Sequence, residues 1–114
     1  MSDDCVFCTI AAGGLPADLV HEDDLFMAFR PLENLADVHA LVIPRAHVSS
    51  IADVASLNDA TRARMPVFIA AVASRLGLDA GGYRVVTNHG PDARQSVFHL
   101  HWHVLGGQAL SESM

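Results

Sequence analysis

The run F-H-L-H-W-H-V-L-G-G, residues 98 to 107, sets His99, His101 and His103 at every second position between apolar residues. Alternation of this kind is the pattern of a strand. Val97, the three histidines and Leu105 then share one face, and Phe98, Leu100, Trp102 and Val104 share the other. The second face is apolar throughout and is expected to pack on a core. The first is not an ordinary solvated face, because no lysine, glutamate or threonine interrupts the imidazoles. Nor does one metal ion gather the whole row: at a strand rise of about 3.3 Å per residue, His99 and His103 start roughly 13 Å apart. Zinc holds imidazole nitrogens at only about 2.0–2.1 Å. The rings therefore divide their work. An imidazole flanked by two others can be oriented on one side and open to substrate on the other, which suits a nucleophile attacking phosphorus.

A second group with chemical potential is Cys5 and Cys8 in C-V-F-C, the only cysteines of the chain. Two lone cysteines are not a disulfide framework. On their own they read equally as a metal half-site, a redox pair or two small hydrophobes.

Around these groups the pattern predicts a short N-terminal helix over residues 5 to 12, ended by Gly13-Gly14, then a hairpin. Its strands are Leu19–His21 and Leu25–Phe29, turned by Glu22-Asp23-Asp24. H-A-L-V-I-P, 39 to 44, is an apolar run stopped by Pro44 and suits a buried central strand. Asn58 or Asp59 caps a long helix to about Leu76. Met65, Phe68, Ile69, Val72 and Leu76 form a 3.6-residue stripe along it, and Gly77 is placed to end it. Pro66 either kinks the first turns or marks the true start. Strands at Tyr83–Asn88 and Val97–Leu105 follow. Strands, one long helix, then strands argue for α+β with a mostly antiparallel sheet.

The chain has 114 residues, 51% of them hydrophobic and 18% charged, and carries a net charge of −6. This size predicts a single domain over 1–114 with a real core. The positive charge is seven scattered arginines with no lysine, so a basic patch for nucleic acid is not expected. No apolar run approaches the roughly 20 residues of a membrane span, and the acidic start M-S-D-D-C lacks the features of a secretory signal. The expected location is the cytoplasm.

H-L-H-W-H-V-L resembles the His-x-His-x-His-x-x signature of the histidine-triad (HIT) nucleotide-binding proteins. C-V-F-C-T-I, L-P-A, E-D-D-L-F-M-A-F, H-A-L-V-I-P-R-A-H and N-H-G-P-D-A-R-Q-S-V-F-H-L-H-W-H-V-L-G-G follow in family order, so the likeness covers nearly the whole chain. A histidine at the third triad position is similar to the Hint branch, since the nucleotidyltransferase branch carries glutamine there. The resemblance implies a five-stranded sheet with one long and one short helix, the sheet continuing across a homodimer. It implies that His101 attacks the α-phosphorus of a purine nucleoside monophosphate derivative, forming a covalent nucleotidyl-histidine that water then hydrolyses. His103 would contact the phosphate and assist the leaving group, Ser96 would hydrogen-bond the bridging atom, and Gln95 and Asn88 would contact phosphate or ribose. His39 matches the histidine that supports the triad from a neighbouring strand. Phe7, Ile10, Leu15, Phe29 and Leu32 match the apolar slot for the base. Some triad proteins hold zinc with two such cysteines, the histidine after L-V-I-P and the first triad histidine. Here these are Cys5, Cys8, His47 and His99, a closed structural set, and no organic cofactor is implied. His21 and His89 match nothing and read as surface residues.

Two positions depart from the pattern. Pro31 stands where the family carries an aspartate that binds the ribose hydroxyls. Arg94 stands where a glycine lets the backbone approach phosphate, and it either blocks that approach or grips the phosphate with its guanidinium. The tail after Gly107 (Q-A-L-S-E-S-M) lacks the aromatic and proline ending of some members. The leading expectation is a phosphoramidase-like hydrolase. The alternatives are a non-catalytic nucleotide-binding or scaffold protein, which Pro31 and Arg94 favour, and a dinucleoside polyphosphate hydrolase with the same nucleophile.

Overall fold

A computed structural model describes residues 5–112; the acidic Met1–Asp4 stretch and the last two residues lie outside them. Asp23 makes the first tight turn. Its Oδ1 accepts from the backbone N–H groups of Leu25 and Phe26, both at 2.8 Å, and so folds strand β1 (Asp18–Glu22) onto β2 (Phe26–Arg30). β3 (Val38–Pro44) is buried from His39 onward, as expected for a strand covered on both faces. β4 (Tyr83–Val86) and β5 (Trp102–Gly106) complete an antiparallel sheet of order β1-β2-β3-β5-β4.

The period of two sorts the strands between two cores. Phe26, Ala28, Ala40, Val42 and Val104 face the long helix α2 (Asp59–Arg75), meeting Met65, Phe68, Ile69 and Val72. Met27, Phe29, Leu41 and Ile43 face the other way, toward Phe7 of the short helix α1 (Val6–Ala11). The helix stripe and its stop fall as the sequence predicts: Asn58 accepts from the Thr61 N–H at 2.8 Å, and Gly77 takes φ +75° just past the last turn. Pro66 does not begin the helix. It lies inside, at an exposed position one turn after exposed Arg62, whose carbonyl its ring deprives of a helical partner.

One strand is shorter than the alternation suggests. β5 begins at Trp102, not Val97, because the backbone before it bonds elsewhere. The Leu100 N–H goes to the Val48 carbonyl, and the Thr87 hydroxyl donates to the His101 carbonyl at 2.7 Å. The same Thr87 contact replaces ladder pairing at the end of β4, which stops at Val86. Alternation persists without the ladder: Leu100 and Val104 are buried in the α2 core, while the histidines turn to the opposite face. Phe98 is the exception, 60% exposed rather than packed. A 3-10 helix at Ile51–Ser56, capped by Ser50, is a further element the pattern missed. Among the described residues no helix is long and apolar enough to cross a membrane.

Candidate active site and metal centre

His101 is buried, and its Nδ1 lies 2.8 Å from the His99 carbonyl oxygen. A carbonyl only accepts, so Nδ1 carries the proton and donates it. In the neutral ring Nε2 is then left with its lone pair. His101 borders a cavity of about 400 Å³ that is also lined by His103, Ser96, Gln95, Asn88, Arg94 and Arg84. The structure thus provides an imidazole with a fixed tautomer and a free basic nitrogen at a polar cavity, the state a nitrogen nucleophile requires.

His103 is oriented by a second chain of bonds. The Leu35 N–H donates to His39 Nδ1 at 3.1 Å. Neutral His39 therefore holds its proton on Nε2 and donates it to His103 Nδ1 at 2.9 Å. His103, accepting at Nδ1, keeps its own proton on Nε2. Burial, then the neighbouring His101 and His39, push His103 down to about 4, and burial also lowers His39. Both rings are neutral near pH 7, and His103 is a neutral donor. The His101 and His103 rings are 5.2 Å apart, and Phe7 meets His101 edge-on at 5.2 Å.

The loop leading into the histidines is stapled by Gln95. Its Oε1 accepts from the Gly90 N–H at 2.9 Å, and its Nε2 donates to the carbonyls of Ser49 (2.7 Å) and Val97 (3.2 Å). Both amide hydrogens are spent on the protein, so Gln95 borders the cavity but its amide shapes the loop that carries Ser96. Arg94, in the same loop, is the one non-glycine among the described residues with positive φ, at +61°. That conformation costs an L-residue about 1–2 kcal/mol, and it explains why a glycine suits this position.

Phe7, Ile10, Leu15, Phe29 and Leu32 all line one apolar groove of about 730 Å³, together with Pro31. The groove and the polar cavity meet at Phe7 and His101. Pro31 does stand in the wall of that groove, and its side chain offers no acceptor.

Cys5, Cys8, His47 and His99 converge, with their ligand atoms all within 4.8 Å of one another. His99 Nδ1 lies 3.3 Å from Cys5 Sγ, 3.5 Å from Cys8 Sγ and 3.2 Å from His47 Nδ1, and Cys8 Sγ is 3.2 Å from His47 Nδ1. Metal–nitrogen and metal–sulfur bonds of about 2.0 and 2.3 Å imply tetrahedral edges of roughly 3.3–3.8 Å, so this set fits a four-coordinate ion. The tautomer fits too. His99 Nε2 donates to the Pro44 carbonyl at 2.8 Å, which turns the Nδ1 lone pair into the cluster. Burial, then Cys5, push the Cys8 thiol up to about 11, and a bound cation is what would offset that and release the proton. Both cysteines are free thiols.

The partners of these groups are mostly backbone atoms that the sequence does not mark: the carbonyls of Pro44 and His99 and the N–H of Leu35. Thr87 and Arg84 were likewise missed as site residues, although both lie in the strand pattern Y-R-V-V-T-N. Of the two histidines without a match, His21 is half-buried and stacks on Phe68 at 4.9 Å, and exposed His89 is hydrogen-bonded through Nδ1 to the hydroxyl of buried Ser50 at 2.7 Å.

The sequence model of the HIT domain family matches residues 12–110. The purine nucleoside phosphoramidase of Escherichia coli is 34% identical over 110 residues, covering 96% of this chain and 92% of that protein. A histidine triad protein from Clostridium difficile superposes with a TM-score of 0.89 at 38% identity, covering 100% of this chain and 99% of that one. A HIT family hydrolase from Clostridium thermocellum gives 0.88 at 34% identity with the same coverage.

Proposed function

Given that the chain belongs to the HIT domain family, we propose that it is a hydrolase of nucleoside 5′-phosphoramidates and related nucleoside monophosphate derivatives. The observation that carries this reading is the Nδ1–H of His101 on the His99 carbonyl, which leaves Nε2 basic at the cavity. The purine base lies in the apolar groove and the α-phosphate in the polar cavity. His101 Nε2 attacks phosphorus as the P–N bond breaks, and the amine leaves; water then breaks the P–Nε2 bond and releases the nucleoside monophosphate. One water is consumed over the two steps. Its oxygen ends on phosphorus and its protons are shared between amine and monophosphate. His103 Nε2–H and the Ser96 hydroxyl donate to the phosphoryl oxygens or the leaving nitrogen, where charge changes most.

Cys5, Cys8, His47 and His99 would hold a zinc ion, whose closed ligand set supplies structural cross-linking, not chemistry. The active form is a cytoplasmic homodimer. A second reading, a nucleotide-binding protein without turnover, is favoured by Pro31 in the groove wall, whose own side chain offers a ribose no acceptor, and by Arg94 in the place of a glycine.

The test is purified protein with adenosine 5′-phosphoramidate, quenched rapidly and read by intact mass. Release of AMP with a transient adduct that His101→Ala lacks is the expected outcome. Retained hydrolysis in His101→Ala would remove His101 as nucleophile. Binding without AMP or adduct would leave the non-catalytic reading.

A further inference from the structure

The cavity beside His101 holds more positive charge than one phosphoryl group requires. Arg84, from β4, and Arg94, from the loop Gly90–Gln95, both line it, and no acidic residue is among the residues that do. This is unusual in a chain of net charge −6. Arg30, Arg45, Arg62 and Arg64 are each paired with an aspartate or glutamate. Among the described residues Arg75, Arg84 and Arg94 have no ion pair, and of these Arg84 and Arg94 line the cavity. Arg94 is moreover kept in the left-handed region that glycine would occupy without strain.

The cavity is also larger than its reacting group. A phosphoryl group occupies the room of a few waters, each about 30 Å³, and the cavity measures about 400 Å³. The base belongs in the separate groove on the far side of Phe7. What remains beside His101 is space for the leaving group, walled by two unpaired guanidiniums.

We propose that the leaving group carries a negative charge, read by Arg94 and Arg84 as charge-assisted hydrogen bonds. This rests on the hydrolase reading above and names the substrate class within it: amines bearing a carboxylate, or, by the same chemistry, a phosphate. At a P–N bond the aspartate-derived adenosine phosphoramidate is the matching substrate, and its diamide is the neutral isostere.

The experiment compares kcat/KM for those two compounds, with unsubstituted adenosine 5′-phosphoramidate and diadenosine triphosphate run alongside. The expected result is a preference for acid over diamide of about tenfold or more. The ratio falls toward one in Arg94→Gly and in Arg84→Gln. Glycine suits φ +61°, so the first variant removes the guanidinium without burdening the turn, and the second checks it from a different element. Faster cleavage of the triphosphate than of the acidic amine, lost in both variants, would assign the anion to phosphate and still support the proposal. Cleavage of the unsubstituted compound with an acid-to-diamide ratio near one and slow triphosphate cleavage would overturn this inference alone. Failure of every substrate would remove the hydrolase reading, and this inference with it.

Discussion

His39 shows how one buried side chain sets the proton positions of the site. It spans the Leu35 N–H and His103 Nδ1, so His39→Ala removes a buried ring and leaves that donor and that half-buried acceptor without their partner. The expected loss is about 1–3 kcal/mol in urea denaturation, with slower turnover because His103 is no longer held. A loss near zero would show that water replaces the ring. The same pair makes stability depend on pH. His103 is pushed down to about 4, against about 6.5 in an unfolded chain, so the unfolded state takes up the proton first as pH falls. Stability therefore declines as pH drops from about 6.5 toward 4. Burial lowers His39 in the same direction. Urea midpoints across that range should fall more steeply in the wild type than in His103→Gln, and parallel curves would count against a neutral His103. Much of the site was legible at this scale because residue types carry it: two cysteines two apart, and histidines at a period of two. The groups that fix the tautomers were not, since the carbonyls of His99 and Pro44 are main-chain atoms that every residue possesses.

At the scale of elements, α1 is six residues long, too short to hold itself together in water. Two things anchor it: Phe7 packed among Phe29, Leu41 and Ile43, and the cluster joining Cys5 and Cys8 to His47 and His99. The second anchor also reaches His101, the proposed nucleophile. His99 faces the cluster with Nδ1 and gives its backbone carbonyl to His101. If the cluster holds the proposed ion, stripping it with a chelator should loosen both ends of that link. Amide exchange should rise in residues 5–12 and at 99–101 while the β2–β3 core stays protected, and Cys8→Ser should reproduce the pattern without chelator. Unchanged exchange at 99–101 would show that the carbonyl is held without the ion. The alternation of residues 97–105 anticipated which way each side chain points, yet it overstated the strand by five residues. Side-chain periodicity records burial, whereas a ladder needs free backbone partners, and here Val48 and Thr87 take them.

At the scale of the whole molecule, the sheet ends on one side in β4, which among the described residues pairs only with β5 and leaves its other edge open. An open edge with apolar side chains is a template for pairing, and Tyr83 and Val85 are both exposed on it. They border a groove shared with Met65, Ile69 and Trp102. Their neighbours Arg84 and Val86 point to the opposite face, into the cavity with His101 and His103. A second copy meeting this edge would extend the sheet and cover the groove, and it would bring the two copies' His101 cavities to either side of one seam. Dimerisation and catalysis are thus expected to share β4. Val85→Glu places a charge on the seam while leaving the cavity-facing residues alone. Sedimentation of the wild type should give twice the chain mass, and of the variant the single-chain mass at the same concentration. A variant that stays dimeric would move the interface off β4. A monomeric variant with unaltered kcat and KM would show each cavity to be complete within one chain.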